Sequence, residues 1–462
     1  VNGPPERGAL QPADALGYTA SMVARDENRL AQKLHGKTRL LWPRPNAFSR
    51  TYGAARTIWH GLPLPMWLRV RCYPLLNFVA YQIIVRRAGR SHQLRPVHDI
   101  EPGNVVVSGY LTDVNGIGRA GRLTYDAISA WKAPMVLHDL RADPSGLGVI
   151  DGGASGGLWI CHCNPPEVLA FMAAGNPRIW AERYRIGYWA YELETLPADW
   201  RPAIRVFHEI WAPSQFVADA IIKARGPVGP IVRVVPHPLP NLAGVNIDRE
   251  RFRLTEAFTF LTMFDTRSTA ARKNPLGAIK AFQLAFTPHS RGVSLLVKVV
   301  EAGGDKAGSL QLDKQIAGWP NIVVMTDHLS DDETLGLIAS VDCVVTLFRS
   351  EGFGLTVAEA MILGTPVIAT GWSGPTEFSK GAAIHVPYRL VPVVDASGRY
   401  AKSGQLWAEP DLDKAAEAMR AVFGDKAARS LLVATARQLA RERLGKPISS
   451  LPYERFLSRR SS

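Results

Sequence analysis

Nothing in the sequence approaches the roughly 20 consecutive apolar residues that cross a bilayer, so no membrane-spanning helix is expected. The start lacks the charged, apolar and small-residue order of a secretory leader. It opens at Val1 rather than Met, which is compatible with an upstream segment. Cysteine is scarce: Cys72, Cys161, Cys163 and Cys343 make no disulfide framework and suit a reducing, cytoplasmic setting. Cys161-His162-Cys163 has the wrong spacing for a zinc knuckle and no second pair to complete one. A D-x-D metal motif in a suitable loop is also missing. Asp331-Asp332 after Ser330 and Asp411-Leu412-Asp413 read as helix openings, where acids complement the exposed N–H groups. The least ordinary absence is acid itself: between Asn28 and His98 there are thirteen Lys or Arg and no Asp or Glu. The formal net charge is +13, and ten of it falls in the first 100 residues, so a near-neutral body carries a basic arm. That arm has no recognisable RNA- or DNA-binding motif, which weighs against a nucleic-acid partner.

What is present exceeds one ordinary core: 462 residues predict two domains plus extra segments. Residues 1–100 form the basic extension. Within it the uncharged Cys72–Val85, flanked by Arg69, Arg71, Arg86, Arg87 and Arg90, predicts a helix. Either it lies in a membrane interface with Trp67, Tyr73 and Tyr81 at headgroup depth, or it docks on the folded body. From about residue 101 to 246, short β-branched segments alternate with amphipathic ones: strands at Val105–Ser108, Pro134–Leu137, Leu158–Cys161, Tyr184–Tyr188, Glu209–Ala212 and Val232–Val235, with helices between. After a Pro- and Gly-rich linker, the alternation restarts at Phe258 and runs to about residue 430, ahead of a helical tail over 431–462. This predicts an α/β chain with two doubly wound parallel sheets.

The second half holds the most informative stretch, Phe348 to Met361. A strand over Val341–Leu347 ends there, and Leu355, Ala358, Met361 and Ile362 then recur at helical spacing. Gly352, Phe353, Gly354, Leu355 and Thr356 therefore sit where a strand becomes a helix, and the first N–H groups of that helix can hold an anion. Glu351 and Glu359 would repel a phosphate, but each suits hydroxyl groups on either side of one. A nucleotide sugar has that layout: sugar hydroxyls, diphosphate, ribose hydroxyls. Upstream, Arg267, Arg272 and Lys273 precede Pro275 at another strand-to-helix turn, a second place for a diphosphate.

E-G-F-G-L-T-V-A-E-A-M, followed by G-T-P-V-I-A-T and G-P-T-E-F, resembles the E-x(7)-E signature of the family 4 retaining glycosyltransferases, which have the two-domain GT-B fold. The resemblance runs from about Asn104 to Ser430. It implies hexose transfer from a nucleoside diphosphate sugar to a carbohydrate or lipid-linked carbohydrate acceptor, with retention of configuration and no protein nucleophile. Lys273 and Arg267 match the Lys and Arg that contact the donor diphosphate in similar enzymes, although the usual Gly before the Arg is Thr266. Glu377 resembles a further family position near the donor. Gly116 and Gly118 match a glycine loop near donor phosphate and acceptor. Cys161-His162-Cys163-Asn164-Pro165 resembles the family's H-x-H-E-P segment, bringing His162 near the cleft. At Tyr188–Glu194 many relatives carry a His that contacts the donor sugar. This chain departs from them, and Tyr191, Glu192 and Glu194 are its candidate acceptor or sugar contacts. Fixed cations and N–H dipoles predict a metal-independent reaction without a cofactor. A sugar-nucleotide epimerase of the same fold is the nearest rival, a basic nucleic-acid-binding protein the next. The basic arm would carry the chain to an anionic surface on the inner face of a membrane.

Overall fold

The computed structural model describes residues 79, 81–88, 93–113, 115–143, 155–165, 167–266, 268–300, 306–395, 400 and 404–458. Six strands of the first half, β1 (Val105–Gly109), β2 (Met135–Asp139), β3 (Leu158–His162), β4 (Tyr184–Tyr188), β5 (Glu209–Ala212) and β6 (Ile231–Val234), form one sheet in the order β2-β1-β3-β4-β5-β6. All its pairings are parallel. β1, β3 and β4 are buried at every position, as strands covered on both faces must be. The period of two divides them cleanly: Val106, Trp159 and Cys161 enter one core, and Val105, Val107, Leu158 and Ile160 enter the other.

The second half repeats the plan. β7 (Phe258–Asp265), β8 (Val293–Val300), β9 (Ile322–Met325), β10 (Cys343–Thr346), β11 (Val367–Thr370) and β12 (Ile384–Val386) pair in parallel in the order β12-β11-β10-β7-β8-β9. Leu261, Leu296 and Val344 face one core while Phe260, Leu295, Val297, Cys343 and Val345 face the other. Asp331 and Asp411 serve as the sequence requires: Ser330 and Glu333 form a capping box on the helix Asp331–Ser340, and the Asp411 carboxylate accepts from the Asp413 and Lys414 N–H groups. Between β4 and β5 the helical segment is short, a 3-10 turn at Ala198–Trp200 running into Arg201–Ile204.

Three features depart from, or add to, the sequence reading. Residues 81–88 are helical and dock on the first domain: Tyr81, Ile84 and Val85 pack on its core, Ala88 is inside it, and Arg87 Nε donates to the Ala173 carbonyl (3.0 Å). Of the two readings of this segment, headgroup depth or docking on the body, Tyr81 follows the second and donates its hydroxyl to the Asp199 carbonyl; Val79 and Ile83 stay 47% and 49% exposed. Trp67 and Tyr73 lie outside the described residues. Second, the tail divides. The helix Lys426–Leu444 buries Ala436, Ala440 and Leu444 against the second domain, whereas Ile448, Tyr453 and Phe456 return to the first, where Tyr453 Oη donates to Glu209 (2.8 Å). Third, β13 (Tyr388–Pro392) and β14 (Leu406–Pro410) form an antiparallel hairpin whose Trp407, with Tyr400 of its connection, packs in the first domain's core. Among the described residues no helix is long and apolar enough to cross a membrane.

Candidate active site between the two sheets

In an open parallel sheet, ligands bind beyond the carboxyl ends of the strands where the strand order reverses. The second sheet reverses between β7 and β10. The segment after β7 carries Arg272 and Lys273, and the segment after β10 carries Glu351, Gly352 and Gly354. The first sheet reverses between β1 and β3, beyond which lie Gly116 and His162.

At the second switch point three charged groups meet. Lys273 Nζ is 2.5 Å from Glu351 Oε1, and Arg272 Nη1 is 3.0 Å from Glu351 Oε2. Burial disfavours the Glu351 charge, but Arg272 and Lys273 outweigh it and hold the carboxyl below the usual range. Burial likewise opposes the Arg272 charge, and Glu351, Tyr400 and Glu192 more than offset it. The backbone N–H of Glu351 donates to Ser373 Oγ (2.9 Å). Lys273 keeps 26% of its side chain exposed and has three donors, so Glu351 does not exhaust it.

The turn that follows is shaped by two glycines. Gly354 adopts φ 85°, a left-handed conformation that side chains resist, and it starts the helix Leu355–Leu363 with no side-chain cap. Gly352 lets the two domains touch: a Cβ there would stand 2.6 Å from the Tyr191 carbonyl oxygen. Ser214 Oγ of the first domain donates to the Gly352 carbonyl (2.6 Å) and Ser350 Oγ donates to the Glu192 carbonyl. Leu355 faces Gly116, whose added Cβ would lie 4.0 Å from Leu355 Cδ1. Thr356, part-buried, follows on the first turn of the helix.

Glu359 is buried deeper along that helix, with Arg119 Nε of the first domain 3.0 Å away. Burial pushes its carboxyl up to about 7; Arg119 opposes the rise and Asp331 adds to it. Glu192 completes the cluster. Its Oε1 lies 3.6 Å from Arg272 Nη2, and its Oε2 accepts from the Tyr400 hydroxyl at 2.8 Å.

Several candidates stand elsewhere. Glu377 does not point at this cluster: its two oxygens accept from the Gln215 and Phe216 N–H groups (2.7 and 2.8 Å), so it caps the helix Gln215–Arg225 of the other domain. Phe353 offers only backbone to the turn, because its ring packs on His237 and Phe378 with centroids 4.9 and 5.0 Å away. His162 is fully buried against Tyr188 (4.5 Å between centroids), and burial together with His237 keeps it neutral. Tyr191 is a packed aromatic, 5.0 Å from the Trp200 ring, and reaches the turn through its carbonyl. Glu194 is exposed on a groove with Phe216, Asp219 and Lys223. The Gly118 N–H donates to Asn115 Oδ1 and its Cα side abuts the Asp113 carbonyl, so this glycine shapes the loop. Arg267 lies outside the described residues.

Arg119, Arg122, Ser214, Ser373 and Tyr400 went unmarked in the sequence. Arg119 and Arg122 share a helix face at i, i+3, a visible signal; Ser214, Ser373 and Tyr400 carry none, because their partners are distant in the chain.

Residues 269–422 match the family model described as glycosyl transferases group 1, a span that contains Arg272, Lys273, Glu351, Glu359 and Glu377. No curated protein matches the chain. Among solved structures, Anabaena HepE, determined with UDP and glucose, is similar at 15% identity and a TM-score of 0.55, covering 74% of this chain and 95% of its own. Sucrose-phosphate synthase from Thermosynechococcus elongatus is similar at 13% identity and a TM-score of 0.53, covering 74% and 94%. The fold is therefore GT-B, and with the match over residues 269–422 it supports a group 1 glycosyltransferase.

Proposed function

We propose that this chain is a retaining hexosyltransferase that takes its sugar from a nucleoside diphosphate donor and passes it to a carbohydrate or lipid-linked carbohydrate acceptor. One observation carries the reading: Lys273, Glu351 and the uncapped start of the helix Leu355–Leu363 converge at the switch point of the second sheet, opposite the first domain. The donor diphosphate would rest on that helix start and on the spare donors of Lys273, which stabilise charge as the leaving group departs. Glu359 would take the ribose hydroxyls, and Glu351 those of the transferred sugar. HepE has also been determined with UDP-glucose, which supports a nucleotide-sugar donor. Retention rests on the E-x(7)-E resemblance. The ion pairs of Glu351 with both cations bear instead on the absence of a protein nucleophile that the same resemblance implies, since a carboxylate so held is a poor one.

Because the stabilising charges are fixed side chains and dipoles, the reaction is expected to need no divalent ion. A panel of nucleotide sugars should yield one that releases nucleoside diphosphate, at a rate unchanged by EDTA. Loss of release in EDTA with rescue by Mn²⁺ would overturn metal independence, and no release from any donor would overturn the reading itself.

Donor affinity should depend on pH through Glu359. Its carboxyl is ionised only as pH rises through about 7, and hydroxyl donors favour the ionised form. A nucleotide sugar has no group of its own titrating there, so its affinity should rise between pH 6 and 8 by up to roughly tenfold per unit below the pKa, and level off above it. Glu359→Gln should flatten the profile; an unchanged profile in that variant would assign the titration to another group.

The basic extension would place the enzyme on an anionic lipid surface, each Lys or Arg contributing about 1 kcal/mol near the headgroups. Cosedimentation with phosphatidylserine-containing vesicles should fall as salt rises, and fall again when residues 1–78 are removed. Equal sedimentation with and without them would contradict this.

A further inference from the structure

The helix Gly116–Ile128 of the first domain sends two guanidinium groups into the second, and they are satisfied very differently. Arg122 grips the Asp331 carboxylate with both arms, Nε and Nη2 each 2.9 Å from an oxygen, and also donates to the Leu111 and Asp113 carbonyls (2.6 and 3.1 Å). Arg119 has no such fork. Its Nε is 3.0 Å from Glu359 Oε1 and 4.0 Å from Asp331 Oδ1, and its Nη2 reaches the Asp331 carbonyl only at 3.5 Å.

The Arg119–Glu359 contact is close but off-axis. Neither Arg119 Nε nor Glu359 Oε1 makes a hydrogen bond among the described residues, although the two side chains are only 10% and 3% exposed. A buried carboxylate left with an ill-aimed cation keeps much of its desolvation cost, which well-directed donors would remove. The contact also joins the two domains across the seat proposed for the donor ribose. Arg122–Asp331 lies one helical turn further on and is already satisfied, so the helix stays attached if Arg119 lets go.

We propose that Arg119 is an internal competitor for the donor. Its guanidinium holds the seat on Glu359 that the ribose hydroxyls take, and it swings off as the nucleotide enters while Arg122–Asp331 keeps the domains in register. This rests on the assignment of Glu359 to ribose. The competing contact lowers apparent affinity by the fraction of molecules in which Glu359 is engaged, so removing it should tighten binding.

The test is calorimetric titration at pH 8 and again at about pH 9, where Glu359 stays ionised without the Arg119 charge that favours ionisation, with the nucleoside diphosphate of the best donor, on wild type, Arg119→Gln, Arg119→Lys, Glu359→Gln and Arg119→Gln/Glu359→Gln; the outcomes below are read at the higher pH. Arg119→Gln should bind about 5- to 20-fold more tightly, a coupling free energy of ordinary allosteric size, and that gain should vanish in the double variant. Weaker binding would make Arg119 a donor ligand, and unchanged binding would make it a structural residue; either overturns the proposal. If Arg119→Gln fails to fold, Arg119→Lys, which keeps the charge on a geometry without the fork, must show a smaller gain of the same sign, and no gain overturns the proposal. Glu359→Gln reports separately on the ribose assignment: unaltered affinity there means that assignment fails, whatever the Arg119 variants do.

Discussion

Lys273→Ala is expected to lower turnover by about 10²–10³, the usual cost of one donor aimed at developing charge, while the protein stays folded. The reason is geometric. Glu351 has two cationic partners, and Arg272 remains on Oε2 when Lys273 is lost from Oε1, so no buried carboxylate is stranded. What disappears is the partly exposed ammonium, the member of the cluster with donors to spare. Turnover should therefore fall far more than thermal stability, and weakened ground-state binding should account for only part of the loss. Near-normal turnover in this variant would remove the diphosphate from Lys273.

Arg272→Met should do the opposite, acting first on folding. Arg272 is almost fully buried and bridges Glu351 of the second domain to Glu192 of the first, while also donating to the Ser350 carbonyl at 2.8 Å. Methionine fills similar volume but leaves the buried Glu351 with Lys273 alone and the part-buried Glu192 without a cation. Breaking a buried pair from one side costs about 3–5 kcal/mol, and urea unfolding should show a loss of that order. The sign of the pH dependence follows as well. Glu351 is held below its ordinary range, so the stability it contributes is present above that range and lost on acidification through its lowered pKa. In Arg272→Met that acid-side loss should shrink. A variant destabilised by less than about 1 kcal/mol would show that the network does not hold the domains together.

The parts of this site that the sequence announced are those whose meaning is local. A strand ending at Leu347, glycines at 352 and 354 and a helical period from Leu355 give the turn and its uncapped helix without reference to the other domain. Lys273 ahead of Pro275 is local in the same way. The central strands were legible because a strand buried on both faces is a largely apolar run, as in β1, β3 and β10. The hairpin of β13 and β14 was not, since four of the five residues of β13 are exposed and show no alternation. Side-chain direction was the other obstacle. Glu377 reads as a loop acid near the donor until the helix Gln215–Arg225 is brought against it, and then its two oxygens are better placed as that helix's cap. His162 and Phe353 look like cleft residues by position, but both turn inward, and their rings join Tyr188 and His237 beneath the turn. Glu359 was recognised, yet its partner Arg119 comes from the other domain, which no spacing within either half reveals.

Determining the structure of the chain with the nucleoside diphosphate that stabilises it most tests the central claim most directly. The account predicts diphosphate oxygens within hydrogen-bonding distance of Lys273 Nζ and of the Leu355 and Thr356 N–H groups, with the ribose hydroxyls on Glu359. Nucleotide density away from the β7–β10 switch point, or a diphosphate that leaves Lys273 and the helix start untouched, would contradict it.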